Sequence, residues 1–430
     1  MNNGKRTDWF IHDRFGMFIH WGLYSIPARG EWVRSIEKIA NEDYQQYFDE
    51  FSAEDYDPRE WAKAAKNAGM KYAVMTAKHH DGFCLFDSAL TDYKATNTPC
   101  KRDLIKEYLE AFRAEGIKAG LYYSIIDWHH RDFPHYGDAH HPMRDNEKFK
   151  NAEHNFDNYL KYMHGQIEEL CTKYGKLDIF WFDFSYDDMR GEKWKATELV
   201  RMIRSHLPDV LIDNRLEVSG DGFGSLVSGK PSEFSGDFVS PEQIIPPSGI
   251  RDVNDEPVVW ESCITMNNHW GFCQTDTHYK PAQMIIKKLV ECVSKGGNLL
   301  LNVGPDARGR IPHESRAILE SVGHWMKLNH QSIYGCGFAN IDKPEYGRIT
   351  KNNAANTLYY HVTENQIGYI PLTGLTKSQV KKVRLLSAGS ELAIAENWIT
   401  LNYKDIPFVS LGESPLLPDP IDTVIEVELK

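Results

Sequence analysis

Several features of common protein classes are missing from this 430-residue chain. No apolar run approaches the roughly 18 residues that span a membrane, and the N-terminal segment lacks the apolar core of a secretory signal. No G-x-G-x-x-G motif follows an apolar run, which leaves a dinucleotide cofactor without support. From these absences we expect a cytoplasmic protein that has no membrane partner and uses no cofactor.

The chain also lacks an excess of positive charge and the cysteine spacing of a disulfide or zinc site. The chain has 49 Lys and Arg residues against 61 Asp and Glu, a formal charge of −12, which disfavours nucleic acid as a partner. Its seven cysteines are odd in number and show no C-x-x-C spacing, so we expect reduced thiols rather than a disulfide framework or a zinc site. The length suits a large domain plus a smaller one.

Short apolar runs alternate with helical patterns up to about residue 335. A typical helix is predicted from Asp57 as N-cap and Pro58 at the first helical position to Gly69 as the stop. The candidate strands lie at 15–22, 71–80, 117–124, 177–183, 209–215, 236–240, 257–263 and 296–305. Several are almost continuously apolar, as parallel strands buried on both faces are. The alternation predicts a (β/α)8 TIM-like barrel over residues 1–335, with a doubly wound open sheet as the alternative.

The helical pattern stops after about residue 335. Short runs rich in β-formers follow, such as "TLYYHVT" and "DTVIEVEL", and polar turns separate them. We therefore predict a C-terminal antiparallel β-sandwich domain over residues 336–430.

Polar and aromatic side chains cluster at the ends of the candidate barrel strands, where barrels carry their working residues. These residues are His20, Trp21, His79, His80, Tyr123, Trp181, Asp183, Arg215, Glu242 and Glu261. By the two-residue period of a strand, Asp183 faces the barrel axis if Trp181 does, whereas Phe180 and Phe182 face the helices. Two carboxylates in one aromatic-lined pocket are the minimum set for glycoside hydrolysis.

The carboxylates divide into two roles in such a reaction. Asp183 fits the ionised group that attacks or stabilises the sugar, whereas Glu242 and Glu261 compete for the role of proton donor. For any one of these acids the structural alternative is a salt-bridged loop carboxylate.

Histidine-rich segments at 78–83 and 127–142 raise the question of a metal. Adjacent histidines on a strand point to opposite faces, and no H-x-x-x-H pair lies on a recognisable helix. We therefore predict that no metal binds and that histidines donate hydrogen bonds to sugar hydroxyl groups. The alternative for residues 129–141 is a set of solvated loop histidines.

Six sequence blocks together resemble one known family. The blocks are "FGMFIHWG", "KHHDGF", "GLYYSIIDW", "GDFVSPEQ", "VVWESCITMNNHWGF" and "SKGGNLLLNVGPDARGRIP". They resemble the α-L-fucosidases of glycoside hydrolase family 29, in that family's order, over about residues 10 to 315. The C-terminal part resembles the family's accessory β-domain only in position and composition.

The resemblance implies a retaining exo-glycosidase that releases terminal α-L-fucose from an oligosaccharide or glycoconjugate. Asp183, two residues after Trp181, matches the family's nucleophile, and Glu242 is favoured over Glu261 as the general acid/base. Glu261 would then shape the pocket or contact an arginine. The fucose pocket would comprise His20, Glu31, Trp32, His79, His80, Tyr123, Trp181, Arg215 and Trp270, with Tyr123 chosen over its neighbour Tyr122. A homo-oligomer is left open.

One residue departs from the family pattern. Glycine often follows the nucleophile in the family, whereas Phe184 stands there in this chain. We expect this ring to narrow or redirect the side of the site that receives the leaving group, and so to set specificity. The remaining alternatives are a retaining glycosidase for another sugar, a non-catalytic sugar-binding relative and a metal-dependent hydrolase.

Overall fold

The computed structural model describes residues 3–219 and 222–430. Its main feature is a seven-stranded parallel sheet with the order β5-β4-β3-β2-β1-β7-β6. The strands are β1 (Phe15–Ile19), β2 (Tyr72–Lys78), β3 (Lys118–Ser124), β4 (Ile179–Asp183), β5 (Leu211–Ile212), β6 (Glu261–Thr265) and β7 (Asn298–Val303). All the C-terminal strand ends therefore lie on one side of the sheet, as the sequence pattern predicted.

The segment 238–242 contacts both edge strands of this sheet. It makes single parallel bridges from Phe238 to Asp213, after β5, and from Val239 and Glu242 to the region of β6. The sequence pattern predicts a full strand over 236–240, but the segment forms single bridges instead of a continuous ladder. Its position still carries Glu242 to the same side of the sheet as the end of β4.

Helices alternate with these strands and cover the outside of the sheet. They are α1 (Asn3–Asp13), α2 (Val33–Ile36), α3 (Asn41–Glu50), α4 (Pro58–Asn67), α5 (Leu104–Ala114), α6 (Phe156–Lys173), α7 (Ala196–His206), α8 (Ala282–Ser294) and α9 (His313–Asn329). Helix α4 begins as predicted, because the Asp57 side chain accepts the backbone N–H of Arg59. It buries Trp61 on the face that meets the core. None of the helices in the described ranges is long and apolar enough to cross a membrane.

The two faces of β4 lie in different cores, which confirms the predicted alternation. Phe180 and Phe182 stack at 5.4 Å between the rings and pack with the helices. Ile179 and Trp181 belong instead to the inner cluster with Phe18 of β1. Asp183, two residues after Trp181, consequently shares the inner face and ends the strand at the rim of the sheet.

Antiparallel strands follow the parallel sheet from Cys336 onward. One sheet has the order β13-β12-β15-β10-β9-β8, and β11 pairs with β14 separately. The strands are β8 (Cys336–Gly337), β9 (Gly347–Asn352), β10 (Thr357–Val362), β11 (Ile370–Pro371), β12 (Val380–Leu385), β13 (Ser390–Glu391), β14 (Phe408–Val409) and β15 (Thr423–Leu429). The Arg14 guanidinium donates to the Cys336 carbonyl oxygen at 2.8 Å and so ties this region to the base of the parallel sheet.

Candidate active site

Two carboxylates share one arginine at the C-terminal side of the parallel sheet. Nη1 of Arg215 lies 2.9 Å from Oδ1 of Asp183, and Nη2 lies 2.9 Å from Oε2 of Glu242. The side chain of Arg215 is 5% exposed and that of Asp183 is 14% exposed, whereas that of Glu242 is 39% exposed. The guanidinium also lies 4.7 Å from the centre of the Trp181 ring. The site therefore contains one sheltered acid and one acid that reaches solvent, held by one cation.

Burial and charge act against each other at Asp183. Burial raises the pKa of this carboxyl, and the negative charge of Glu242 adds to that effect. Arg215 and a hydrogen bond from Tyr122 oppose the rise in the pKa of Asp183. Burial lowers the pKa of Arg215, but the two facing carboxylates outweigh it and leave that pKa above its usual value. Arg215 is thus a permanent cation that favours an ionised Asp183.

Tyr122, and not Tyr123, is the tyrosine of the site. The Tyr122 hydroxyl donates to Oδ2 of Asp183 at 2.8 Å. Tyr123 points outward, where its hydroxyl donates to Oε1 of Gln166 at 2.7 Å and its ring packs against Lys78. The choice of Tyr123 from the sequence is therefore wrong, because strand alternation places the two neighbours on opposite faces of β3.

Three buried histidines in the neutral form lie close together beside Tyr122. Burial lowers the pKa of His20 to about 3 and holds the pKa values of His79 and His80 well below the usual range. Nδ1 of His20 lies 2.7 Å from the amide oxygen of Asn302, an acceptor, so this nitrogen carries the proton. Nε2 of His20 is then free to accept a hydrogen bond.

The tautomer of His80 is fixed by its neighbours. Its Nδ1 lies 2.7 Å from Oγ of Ser124, and that hydroxyl donates its own hydrogen to the carbonyl oxygen of Ile126. Nδ1 of His80 must therefore donate, which leaves Nε2 as an acceptor. The free nitrogens of His20 and His80 can accept hydrogen bonds from hydroxyl groups, whereas the sequence predicted that these histidines donate them.

The remaining predicted pocket residues join this group through ring contacts. Trp270 lies 5.0 Å from His20, and Trp32 lies 5.1 Å from His80, centre to centre. Oε2 of Glu31 accepts the backbone N–H groups of Trp270 at 3.1 Å and Gly271 at 2.8 Å. Glu31 thus ties the segment before α2 to the segment after β6, and the structure brings both predicted segments together.

Glu261 lies at the opposite end of the sheet from the other acids. The strand β6 starts at Glu261, whereas the sequence pattern placed this residue near a strand end. Glu261 is fully buried, accepts a hydrogen bond from the Tyr72 hydroxyl and pairs in register with Asn298, the first residue of β7. Burial raises the pKa of Glu261 to about 8, although Tyr72 and Trp181 partly oppose the rise. The alternative assignment of Glu261 as acid/base is therefore wrong, because this residue lies at the N-terminal end of its strand, whereas Asp183 lies at the C-terminal end of β4.

Phe184 directly follows Asp183 and adopts a backbone conformation that suits glycine. Its φ is +87°, which is rare for a bulky residue. Oγ of Ser219 accepts the backbone N–H groups of Phe184 at 3.1 Å and Ser185 at 3.0 Å, which holds the turn. The Phe184 ring lies 4.7 Å from the His80 ring. Phe184 therefore lies directly beside His80, one of the predicted pocket residues.

The histidine-rich loop is packed rather than solvated. His129 stacks on Tyr93 with 3.7 Å between ring centres, and His141 contacts the Trp128 carbonyl oxygen at 3.2 Å. Within residues 3–219 and 222–430, no group of three His, Cys, Asp or Glu side chains is arranged to hold a metal ion. All seven cysteines lie within these ranges, where they are buried and form no disulfide.

Sequence reasoning missed several residues that support the site. Tyr122 forms a hydrogen bond with Asp183, and Asn302 forms one with His20. Ser219 holds the turn at Phe184. Asn302 precedes Val303 at the end of β7, so a wider search of strand ends for polar residues would have found it. Ser219 lies in a loop, and no pattern in the sequence marks its role.

Known proteins resemble this chain in both sequence and structure. A sequence model of the alpha-L-fucosidase family matches residues 1–331. The structure is similar to alpha-L-fucosidase isoenzyme 1 from Paenibacillus thiaminolyticus, with a TM-score of 0.96 and 58% identity over 100% of both chains.

More distant relatives give the same result. The trapped covalent intermediate of an alpha-L-fucosidase GH29 from Bacteroides thetaiotaomicron has a TM-score of 0.84 and 28% identity, over 99% of this chain and 96% of that one. An alpha-L-fucosidase from Dictyostelium discoideum is 29% identical over 390 residues, which is 84% of this chain and 78% of its own length. The chain therefore belongs to the alpha-L-fucosidase family and is a glycoside hydrolase.

Proposed function

We propose that this protein is a retaining exo-glycosidase that releases terminal α-L-fucose through a covalent fucosyl-enzyme. Its substrate is a fucosylated oligosaccharide or glycoconjugate. Asp183 is the nucleophile and Glu242 the general acid/base in this proposal. The observation that carries it is the single Arg215 guanidinium that holds one sheltered and one solvent-accessible carboxylate 2.9 Å from its two terminal nitrogens.

In the first step Asp183 attacks the anomeric carbon and forms an ester with the fucosyl group. The bond between that carbon and the glycosidic oxygen breaks, and Glu242 gives its proton to the departing oxygen. Arg215 and the Tyr122 hydroxyl favour the ionised Asp183 that this attack needs. The exposure of Glu242 suits an acid that must reach a leaving group in solvent.

In the second step a water molecule attacks the same carbon and the ester bond breaks. Glu242 takes a proton from this water, and Asp183 leaves as a carboxylate. Retaining enzymes hold their two carboxyl groups about 5 to 5.5 Å apart, whereas inverting enzymes need room for a water between them. Two carboxylates bridged by one guanidinium favour the shorter separation.

The comparisons support a covalent mechanism and a fucose-like ligand. A bacterial fucosidase at 28% identity was studied with a monovalent iminocyclitol inhibitor, and the Bacteroides thetaiotaomicron enzyme was trapped as a covalent intermediate. In this chain the neutral His20 and His80 would accept hydrogen bonds from fucose hydroxyl groups. We also propose that 238–242 acts as the eighth strand of a (β/α)8 barrel, followed from residue 336 by a small β-sandwich.

Replacement of Asp183 by glycine tests the assignment of the nucleophile. We expect kcat on an aryl α-L-fucoside to fall by about 10³-fold or more, because both chemical steps pass through this carboxylate. Added azide should restore turnover and give a fucosyl azide of inverted anomeric configuration, detectable by NMR. The matched control is Asp188→Gly, a nearby acid that is 84% exposed, which should keep kcat within about twofold.

Two further measurements separate this proposal from its alternatives. Wild-type enzyme should release fucose with retained anomeric configuration, and undiminished activity of Asp183→Gly would remove the proposed nucleophile. A panel of aryl glycosides distinguishes a fucosidase from a glycosidase for another sugar. Absence of all turnover in that panel would favour a non-catalytic sugar-binding protein.

A further inference from the structure

We propose that an aromatic rim beside the fucose pocket is an acceptor subsite for the neutral sugar residue to which fucose is attached. The rim consists of the rings of His140, Phe184 and Tyr186 together with Trp32, which the sequence assigned to the fucose pocket and which contacts both His80 and Phe184. This inference rests on the proposed fucosidase function and adds the part of the substrate that the rim recognises.

The four rings form one contiguous surface with Phe184 at its centre. The Phe184 ring lies 5.3 Å from Trp32, 4.9 Å from His140 and 5.4 Å from Tyr186, measured between ring centres. Its contact with His80 joins the rim directly to the fucose pocket. The rim therefore starts one residue after the proposed nucleophile and continues outward from it.

The rim is more exposed than the three histidines beside it. His20, His79 and His80 are 3%, 4% and 2% exposed, whereas all four rim residues are of intermediate exposure. In the proposed function the terminal fucose occupies the buried part beside these histidines, and the rest of the glycan then lies in the more open zone. The rim occupies that zone.

Specific hydrogen bonds hold the rim in shape. The Tyr186 hydroxyl donates to Oδ2 of Asp138, and Oδ1 of the same residue accepts the backbone N–H groups of His140 at 2.8 Å and His141. Asp138 thus joins the histidine-rich loop to the turn after β4. Together with Trp32, the rim therefore combines three segments that are distant in sequence.

The backbone of Phe184 adds an independent argument. A φ of +87° strains the backbone of a bulky residue, whereas glycine adopts it without strain. Phe184 accepts this strain and in return places a phenyl ring beside the site, which glycine would not. Strain of this kind concentrates where a side chain serves binding or catalysis.

The chemistry of the rim indicates the class of ligand. Its aromatic faces suit the apolar C–H face of a pyranose ring, and its hydroxyl and imidazole groups suit sugar hydroxyls. The exposed side chains of Asp187 and Asp188 lie in the same turn as Tyr186 and disfavour an anionic group. A neutral sugar fits this surface better than a phosphate or an acidic residue.

A ratio of two substrates tests the inference. The first substrate is α-L-fucosyl fluoride, whose leaving group is too small to reach the rim. The second is a set of fucosylated di- and trisaccharides of different linkage. Phe184→Gly should lower the ratio of kcat/KM for the preferred glycan to kcat/KM for the fluoride by about tenfold or more.

The controls keep the test independent of folding. Phe184→Leu retains bulk without an aromatic face and should give an intermediate ratio, and a loss of active enzyme cancels in either ratio. Phe338→Ala removes a ring that is 48% exposed in the C-terminal region, and it should leave the ratio unchanged. An unchanged ratio in Phe184→Gly across the glycan set would overturn the inference while the fucosidase assignment stood. Failure of wild-type enzyme to hydrolyse the fluoride would overturn both.

Discussion

Asp183 and Glu261 are two buried carboxyl groups in the same parallel sheet, and both follow or flank a tryptophan. Burial raises the pKa of each. Asp183 ends β4 and faces the Arg215 guanidinium, whereas Glu261 begins β6 and faces the Tyr72 hydroxyl. Burial alone therefore does not mark a reactive acid. The end of the strand and the presence of a cation distinguish them.

Trp181 lies between these two environments. The Arg215 guanidinium lies against its ring, and its indole N–H lowers the pKa of Glu261 against the effect of burial. With a pKa of about 8, Glu261 is mostly a neutral acid at pH 7 and needs no cation. In the proposed mechanism Asp183 must be charged to act, and Arg215 supplies the counter-charge.

Removal of the cation should make the environment of Asp183 more like that of Glu261. In Arg215→Gln we expect kcat/KM to fall by about 10²- to 10³-fold, because a charged donor beside the reacting groups is lost. Arg215 lowers the pKa of Asp183, so its loss should move the acidic limb of the pH profile to higher pH. The measurement is kcat/KM for an aryl fucoside across pH.

The matched control for this variant is Arg201→Gln. Arg201 forms an ion pair with Glu233 on the surface and is 69% exposed, so its replacement should leave both the rate and the acidic limb in place. An acidic limb that stays at the same pH in Arg215→Gln would show that the guanidinium does not set the ionisation of Asp183.

A smaller effect should separate two neighbouring tyrosines. Tyr122→Phe removes the hydroxyl that lies 2.8 Å from Oδ2 of Asp183, and kcat/KM should fall by about tenfold, the order of one hydrogen bond to a charged group. Tyr123→Phe removes a hydroxyl bonded to Gln166 outside the site. It should lower the melting temperature by a few degrees at most and change kcat/KM by less than about twofold. Equal losses of kcat/KM in the two variants would contradict the proposed orientation of β3.

The sequence predicted much of this arrangement, and its errors share one cause. The apolar run before Asp183 and the two-residue period placed Trp181 and Asp183 on the inner face correctly. The same period could not choose between Tyr122 and Tyr123, because both faces of β3 are buried and apolar. Glu261 was misplaced because the start of β6 depends on its pairing with β7.

The turn at Phe184 lay beyond sequence reasoning for a related reason. Its positive φ depends on Ser219, which is 35 positions away, and on rings from three other segments. Local propensity argues against that conformation for phenylalanine. The sequence pattern thus predicts which strand bears a residue. Contacts between strands and loops decide where along the strand the residue lies and which way its side chain points.

The smallest expected effect on activity, and a distinct effect on stability, concerns Glu261. Glu261→Gln should change kcat by less than about threefold, because this residue lies outside the reacting groups.

The wild-type carboxyl has a pKa of about 8 in the folded protein and about 4.3 when unfolded, so the unfolded state loses its proton first as pH rises. Its stabilising contribution is complete below about pH 4.3 and is lost by about pH 8, at up to about 1.4 kcal/mol per pH unit. Glutamine does not titrate, so the variant should gain in melting temperature relative to wild type between about pH 5 and about pH 8. If the melting temperatures of variant and wild type instead change in parallel with pH across that range, Glu261 is charged in the folded protein. A large loss of kcat would show that Glu261 is closer to the chemistry than its position at the start of β6 implies.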